Sequence, residues 1–341
     1  MLKVAIAGFG FMGKTHAAAC ARLPGAKLVA VGDVRQESFA HWKPPYPLAF
    51  FTDLDRLLAD SGADVLDICL PTFLHEEFVT KAAARGLHVL CEKPLALTVA
   101  EADRMLGAVR KAGVGLMVAQ VLRFFPHYRA AREMFQRGEL GDVFFASAAR
   151  LSEPPQWAAW FRDPHLSGGA LYDLQIHDLD YLMSLFGLPL SVTTRGVQSD
   201  SGCWNHVVSV LTYPGRTVSI EASYRMPLGW PFSTSLRLVG TGAALEYGFR
   251  VNGNVDALKH AQHSFKVYPS AGAVQTPEVA DSDPYLDEIA YFLECVQRRQ
   301  QPSMVPPEES RSVIAVLELC KRSLETGMSA SLSDTSVIAG R

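Results

Sequence analysis

The chain is 341 residues long, and at about 150 residues per domain that length points to two domains. Hydrophobic residues make up 48% and charged residues 20%, ordinary globular usage that excludes wholesale disorder. With 32 Lys and Arg against 35 Asp and Glu, a net charge of -3, nothing favours nucleic acid or an anionic membrane surface.

In chain order, Leu2–Ala7 is a short apolar run that stops at Gly8, too short for a secretory segment or a span. His16–Leu23 reads as an Ala-rich helix and Lys27–Asp33 as a second buried strand. Gln36–Trp42 looks helical, Leu48–Phe51 is a third apolar run, and Thr52-Asp53 caps a helix through Leu58. Asp64–Leu70 is a fourth run, Glu76–Arg85 a helix, His88–Cys91 a fifth run. A helix then runs from a Thr98 cap to about Ala112, before Gly115–Val121 as the sixth run. Strands alternating with helices predict βαβ units and a doubly wound parallel sheet over residues 1–121.

After Val121 the pattern changes. Tyr128–Gln136 reads as a helix. The runs Val143–Arg150, Ser191–Val197, His206–Tyr213, Thr217–Tyr224, Ser235–Val239 and Ala243–Tyr247 have strand character, with hairpin turns at Tyr213-Pro214-Gly215-Arg216 and Gly240-Thr241-Gly242. Residues 122–341 are therefore expected to form an α+β domain with one large, open, mostly antiparallel sheet. Pro284–Arg299 and Glu308–Ser323 read as its closing helices, and 251–282 as an extended loop region. The open face of that sheet, expected to be rich in Val, Leu and Tyr, needs water or another subunit, so a homo-dimer or homo-tetramer is expected.

Gly8-Phe9-Gly10-Phe11-Met12-Gly13 is G-x-G-x-x-G between the first strand and the first helix. Gly8 allows the tight turn, Gly10 a close backbone approach to a pyrophosphate, and Gly13 tight helix–strand packing. The helix N-terminus offers N–H groups and a positive dipole end to the phosphates. Asp33, 20 residues after Gly13, is placed for ribose hydroxyls and repels a 2′-phosphate, favouring NAD over NADP. Arg35 pulls the other way, since a guanidinium could hold that phosphate or stack on adenine. Leu70-Pro71-Thr72 and His75 end the fourth run and are expected to line the cofactor crevice. Glu92-Lys93-Pro94 follows the fifth strand, where side chains face a ligand, and Gln120 stands at the end of the sixth.

In the second half, Ser167-Gly168-Gly169 enters a helical stretch in which Asp173 and His177 are i and i+4, with Asp180 i+3 from His177. A histidine flanked by carboxylates suits proton transfer, although a surface charge pair or a buried structural histidine would read the same way. Trp157, Trp160 and Arg162 come just before; aromatic faces suit a sugar ring, and core packing fits them equally. Phe124, Phe125 and His127 are further pocket candidates. The six cysteines, Cys20, Cys69, Cys91, Cys203, Cys295 and Cys320, show no C-x-x-C pair or metal-ligand spacing, so no metal is expected and a reducing, cytoplasmic setting is favoured.

Gly8–Gly13, Glu92-Lys93-Pro94 and Gly168-Gly169 with Asp173 and His177 together resemble the glucose–fructose oxidoreductase/inositol dehydrogenase/MocA (Gfo/Idh/MocA) family, along nearly the whole chain. The resemblance implies a Rossmann domain holding NAD(P), a C-terminal open-faced sheet serving subunit contacts and part of the substrate site, and catalytic roles for Lys93, Asp173 and His177. The reaction it implies is hydride transfer between a secondary hydroxyl of a sugar, inositol or related polyol and nicotinamide. Independently of the resemblance, Gln120, Trp160 and Arg162 are expected as further substrate contacts. Two alternatives stay open: an NAD-dependent glycoside-cleaving enzyme, and a non-catalytic dinucleotide-binding regulator that senses sugars.

Overall fold

The computed structural model describes residues 1–39, 42, 47–155, 159–252 and 261–334. By internal contacts the chain divides into two units, Met1–Phe124 with Ser282–Ile314, and Phe125–Asp281 with Ala315–Arg341.

The first unit is built on a six-stranded parallel sheet. Its elements are β1 (Leu2–Ala7), α1 (Phe11–Cys20), β2 (Ala26–Gly32), β3 (Ala49–Phe51), α2 (Leu54–Asp60), β4 (Val65–Ile68), α3 (His75–Ala84), β5 (His88–Glu92), α4 (Val99–Ala112) and β6 (Leu116–Ala119). The strand order is β3-β2-β1-β4-β5-β6. Strands β4 and β6 are buried along their whole length, as sheets covered on both faces require. Helix starts follow local chemistry: Asp53 caps α2 by accepting the Asp55 and Arg56 N–H groups. Thr98 and Glu101 form a capping box on α4, and Gly113 ends that helix in the left-handed conformation.

The second unit comprises α5 (Pro126–Gln136), β7 (Val143–Leu151), α6 (Ala170–Asp173), α7 (Gln175–Phe186), β8 (Ser191–Gln198), β9 (Trp204–Tyr213), β10 (Arg216–Ser223), β11 (Phe232–Gly240), β12 (Ala243–Val251) and β13 (Gln262–Pro269). Then follow α8 (Pro284–Arg298), α9 (Pro307–Thr326) and β14 (Ala330–Ser331). The eight strands run β13-β12-β11-β7-β10-β9-β8-β14, antiparallel except for the parallel pair β7 and β10. Val218, Ile220, Leu236, Leu238, Leu245 and Tyr247 alternate onto the buried face. The opposite face carries Val208 and Val210 among Thr212, Ser219, Glu221, Ser235, Arg237 and Glu246. That face is more polar than the alternation predicts, because Ser, Thr and charged residues fill most of its outward positions.

Three expectations need correction. α8 does not close the second sheet: Ile289, Phe292, Leu293 and Val296 join Val4, Cys20, Leu90 and Phe124 in the first unit's core. An amphipathic face announces that it must be buried, not where. The region 251–282 is not all loop, since β13 pairs with β12 and buries Phe265 and Val267. Gln36–Phe39 forms a 3-10 turn, with Ala40 and His41 outside the described residues. All six cysteines are free thiols. No helix among the described residues is long and apolar enough to cross a membrane.

Candidate functional site

The glycine turn is enforced by contact. Gly8 has φ +89, and a Cβ there would lie 2.4 Å from the Cys69 carbonyl oxygen. A Cβ on Gly13 would stand 2.0 Å from the Gly8 oxygen, so α1 approaches β1 this closely only with glycine. At Gly10 the same position is open, with Arg35 Nη2 at 4.0 Å as the nearest atom. No side chain caps the first turn of α1, so its N–H groups are available to an anion; Phe11 there is exposed and Met12 half-buried.

Asp33 follows β2 and is buried. Its Oδ2 accepts the Phe9 N–H at 2.9 Å, and Oδ1 accepts the Arg35 N–H at 2.9 Å and Arg35 Nε–H at 3.2 Å. Burial opposes ionisation, but the Arg35 guanidinium and these N–H groups outweigh it and hold the carboxyl below its usual range. An ionised carboxylate only accepts, as ribose hydroxyls require. The Arg35 side chain is 56% exposed while its guanidinium stays on Asp33.

At the ends of β4, β5 and β6 the predicted residues divide by role. Leu70 and Pro71 are half-buried and Thr72 is buried. His75 is fully buried, with its ring nitrogens 2.8 Å from the Leu70 and Pro94 carbonyl oxygens, so its polar atoms serve the backbone. Glu92 is likewise buried: Oε2 accepts the Lys93 N–H at 3.0 Å and Oε1 lies 3.3 Å from His16 Nε2. Lys93 itself is half-buried, and its peptide bond to Pro94 is cis. Gln120 is 2% exposed, and its Nε2 has no hydrogen-bond partner among the described residues. An unmatched buried donor costs roughly 1–3 kcal/mol. Gln120 is therefore suited to an acceptor on a bound molecule.

Sequence reasoning missed His16, Asp67 and Cys69, whose donor atoms lie within 4.8 Å of one another. His16 read only as part of an Ala-rich helix. Its ring is fully buried, Nδ1 2.9 Å from Asp67 Oδ2. Burial works against the imidazolium, but the Asp67 charge outweighs it and raises the ring's pKa well above 6.5. Burial and the Asp67 charge push the Cys69 thiol up, so it stays protonated.

In the second unit, Gly168 and Gly169 both have φ +69. A Cβ on Gly169 would lie 2.9 Å from Asn205 Oδ1 and 3.0 Å from the Trp204 oxygen, and Asn205 Oδ1 in turn accepts the Ala170 N–H. The helix entry is thus jammed against β9. The expected single helix is two: α6 ends at Asp173, Leu174 breaks the run, and α7 begins at Gln175. The i, i+4 relation between Asp173 and His177 therefore spans a break. Both side chains are half-buried, and Asp180 is fully buried. Tyr224, which sequence reading placed only at a strand end, donates its hydroxyl to Asp173. Burial and then the Asp173 charge push that hydroxyl well above its ordinary pKa, so it remains a donor. Next to His177, Asp178 receives a buried two-pronged contact from Arg150, at 2.9 and 3.2 Å, which pins α7 to β7.

Trp160 is half-buried and stacked on Phe161 at 4.0 Å, and Arg162 is exposed. Trp157 lies outside the described residues. Phe124 is core, against Tyr291, and His127 stacks on Tyr247 and His263, so both are engaged in packing. Phe125 is half-buried, edge-on to Tyr128.

A parallel sheet with an enforced glycine turn in one unit, and a mixed eight-stranded sheet in the other, define a dinucleotide-binding fold joined to a second sheet domain. Residues 2–120 match the family described as "Oxidoreductase family, NAD-binding Rossmann fold", and residues 128–246 match "GFO/IDH/MocA C-terminal domain". The chain is 33% identical to D-xylose 1-dehydrogenase (NADP(+)) 2 of Haloferax volcanii, over 82% of this chain and 83% of that one. It is 28% identical to the scyllo-inositol 2-dehydrogenase (NAD(+)) of Bacillus subtilis, over 88% of each. It is also 30% identical to a 2,7-anhydro-N-acetylneuraminate hydratase of Escherichia coli, over 68% of this chain and 63% of that one. The protein belongs to the Gfo/Idh/MocA family and is an oxidoreductase of sugar or inositol dehydrogenase type.

Proposed function

We propose that this protein oxidises a secondary hydroxyl of a sugar, inositol or related polyol, with NAD as the preferred dinucleotide. The observation that carries the reading is Lys93: a half-buried ammonium at the end of β5, on a backbone whose N–H and following carbonyl are both hydrogen-bonded to buried side chains. The Gly8–Gly13 turn and the α1 N-terminus hold the dinucleotide phosphates, and Asp33 its ribose. When bound, the nicotinamide supplies the hydride acceptor. Lys93 holds the substrate oxygen and stabilises the charge that develops there. His177 takes the hydroxyl proton. Asp173, held by the Tyr224 hydroxyl, orients His177 or a substrate hydroxyl. Gln120, Trp160 and Arg162 are assigned to substrate contacts, with the unmatched Gln120 amide supporting the first of these.

The preference for NAD rests on the ionised Asp33, which repels a 2′-phosphate. The homo-dimer or homo-tetramer expected from the sequence keeps only Val208 and Val210 in its support, amid mostly polar outward positions of the second sheet; light scattering that shows a clean monomer at micromolar concentration overturns it. A second reading is the glycoside-cleaving alternative, in which hydride is taken and returned with no net change in the cofactor; a relative named as a hydratase rather than a dehydrogenase favours keeping it. An absorbance screen at the NADH band, over inositols, monosaccharides and anhydro sugars, separates the two. NADH accumulating with a polyol supports dehydrogenation; product formation with no NADH supports the second reading.

A further inference from the structure

Two buried histidines that bind no ligand in the proposed reaction converge on one short segment. On one side, His16 of α1 stands between two carboxylates from different strands, hydrogen-bonded through Nδ1 to Asp67 of β4 at 2.9 Å and in charge contact only, through Nε2, with Glu92 of β5 at 3.3 Å. Glu92 uses its other oxygen to accept the N–H of Lys93 at 3.0 Å. On the other side, His75 at the start of α3 lies 2.8 Å from the carbonyl of Pro94 and 2.8 Å from that of Leu70, just past β4. Glu92-Lys93-Pro94 is thus gripped immediately before and immediately after the lysine. The grips come from two helices, and the first is tied to β4 through Asp67.

Such an arrangement is costly as mere packing. Two carboxylates are taken almost entirely out of water, with the His16 ring between them, the Cys69 thiol on Asp67 and the Lys93 N–H on Glu92 as partners. Apolar side chains of similar volume would fill the same space with less desolvation. What they could not do is present a directional acceptor to the Lys93 N–H. Nor could they donate a hydrogen bond to the Pro94 carbonyl.

We propose that His16 and His75 are positioning residues for Lys93: His16 holds by charge the Glu92 carboxylate that accepts the Lys93 N–H, and His75 donates its one N–H to the Pro94 carbonyl. The inference rests on the catalytic reading of Lys93 given above. It adds that the ammonium is aimed by a backbone fixed on both flanks, where a misplacement of about 1 Å can cost as much as 100-fold in rate.

The test reads Lys93 without needing the substrate. In the full-length protein labelled with 13C-lysine, the Lys93 side-chain signal is assigned by its loss in Lys93→Met and followed through a pH titration. His16→Gln, Glu92→Gln and His75→Leu are each expected to move that signal and its titration curve, leaving Lys14 and Lys27 unmoved. His75→Gln keeps an N–H for the Pro94 carbonyl and is expected to restore the wild-type curve. If His16→Gln and Glu92→Gln both fail to fold, the His75→Leu and His75→Gln pair decides. An unchanged Lys93 signal in the folded variants overturns positioning. The catalytic reading is tested separately: undiminished turnover of Lys93→Met on a polyol that reduces NAD would overturn that reading, and the NMR result would still stand on its own.

Discussion

Both units fix a proposed catalytic segment with buried charge, but the charges differ in kind. In the first, the segment at Lys93 hangs on carboxylate–imidazolium–carboxylate contacts centred on His16. In the second, α7 with His177 is fastened by the two-pronged Arg150–Asp178 pair, and its entry is jammed by Gly168 and Gly169. An imidazolium titrates within a reachable pH range; a guanidinium does not. The first frame is therefore open to attack by pH, the second only by removing a charge or adding volume.

The largest stability effect is expected in the second unit. Arg150→Met leaves Asp178 buried without its partner and should cost about 3–5 kcal/mol in denaturant unfolding. Arg150→Met with Asp178→Leu should recover much of that loss. An equal loss in single and double variants would show that the cost is not the orphaned Asp178 charge but the lost tie between α7 and β7. Next is Gly169→Ala. Its Cβ would meet Asn205 and Trp204 from a backbone at φ +69, ψ -160, and the expected loss is roughly 2–4 kcal/mol. A neutral result would mean that β9 yields and the entry is not jammed.

The pH dependence should separate the units. The raised pKa of His16 contributes stability that is complete below pH 6.5 and is lost as pH climbs through the higher folded value. His127 in the second unit is the opposite case. Burial, with His263 adding to it and Asp281 opposing, lowers its pKa to about 4, so stability falls as pH drops from 6.5 toward that value. Thermal melts across pH should show His127→Phe removing part of the acid loss and His16→Gln part of the alkaline loss. If either variant keeps the wild-type profile, that histidine does not set it. Smaller still is the cofactor effect: Asp33→Ser should narrow the preference for NAD over NADP by roughly tenfold, about 1.4 kcal/mol. Equal wild-type affinities would instead assign control to Arg35.

The parallel sheet and the glycine turn were legible because they are local. Gly13 is required by the carbonyl of Gly8, five residues before it, and that requirement is written at a fixed spacing. The same holds for Asp33, one strand later. The Cys69 carbonyl that also demands glycine at Gly8 comes instead from a distant strand end. What stayed hidden depends on distant partners. His16 sits in an Ala-rich run, and only the fold brings Asp67 and Glu92 to its two nitrogens. Tyr224 looks like any strand-end aromatic until the sheet places its hydroxyl on Asp173. α8 shows an apolar stripe but not its destination in the first unit's core. The break at Leu174 was concealed because the apolar spacing runs straight through it.

The measurement that bears most directly on the central claim is the turnover of His177→Ala on a polyol that reduces NAD with the wild-type protein. A general base contributes about 10² to 10⁴-fold, so kcat should fall by that order. The affinity for NAD should stay near wild type, because the phosphate and ribose contacts assigned here all lie in the first unit. Near-normal turnover would contradict the claim, leaving His177 structural and the proton to Lys93 or a carboxylate.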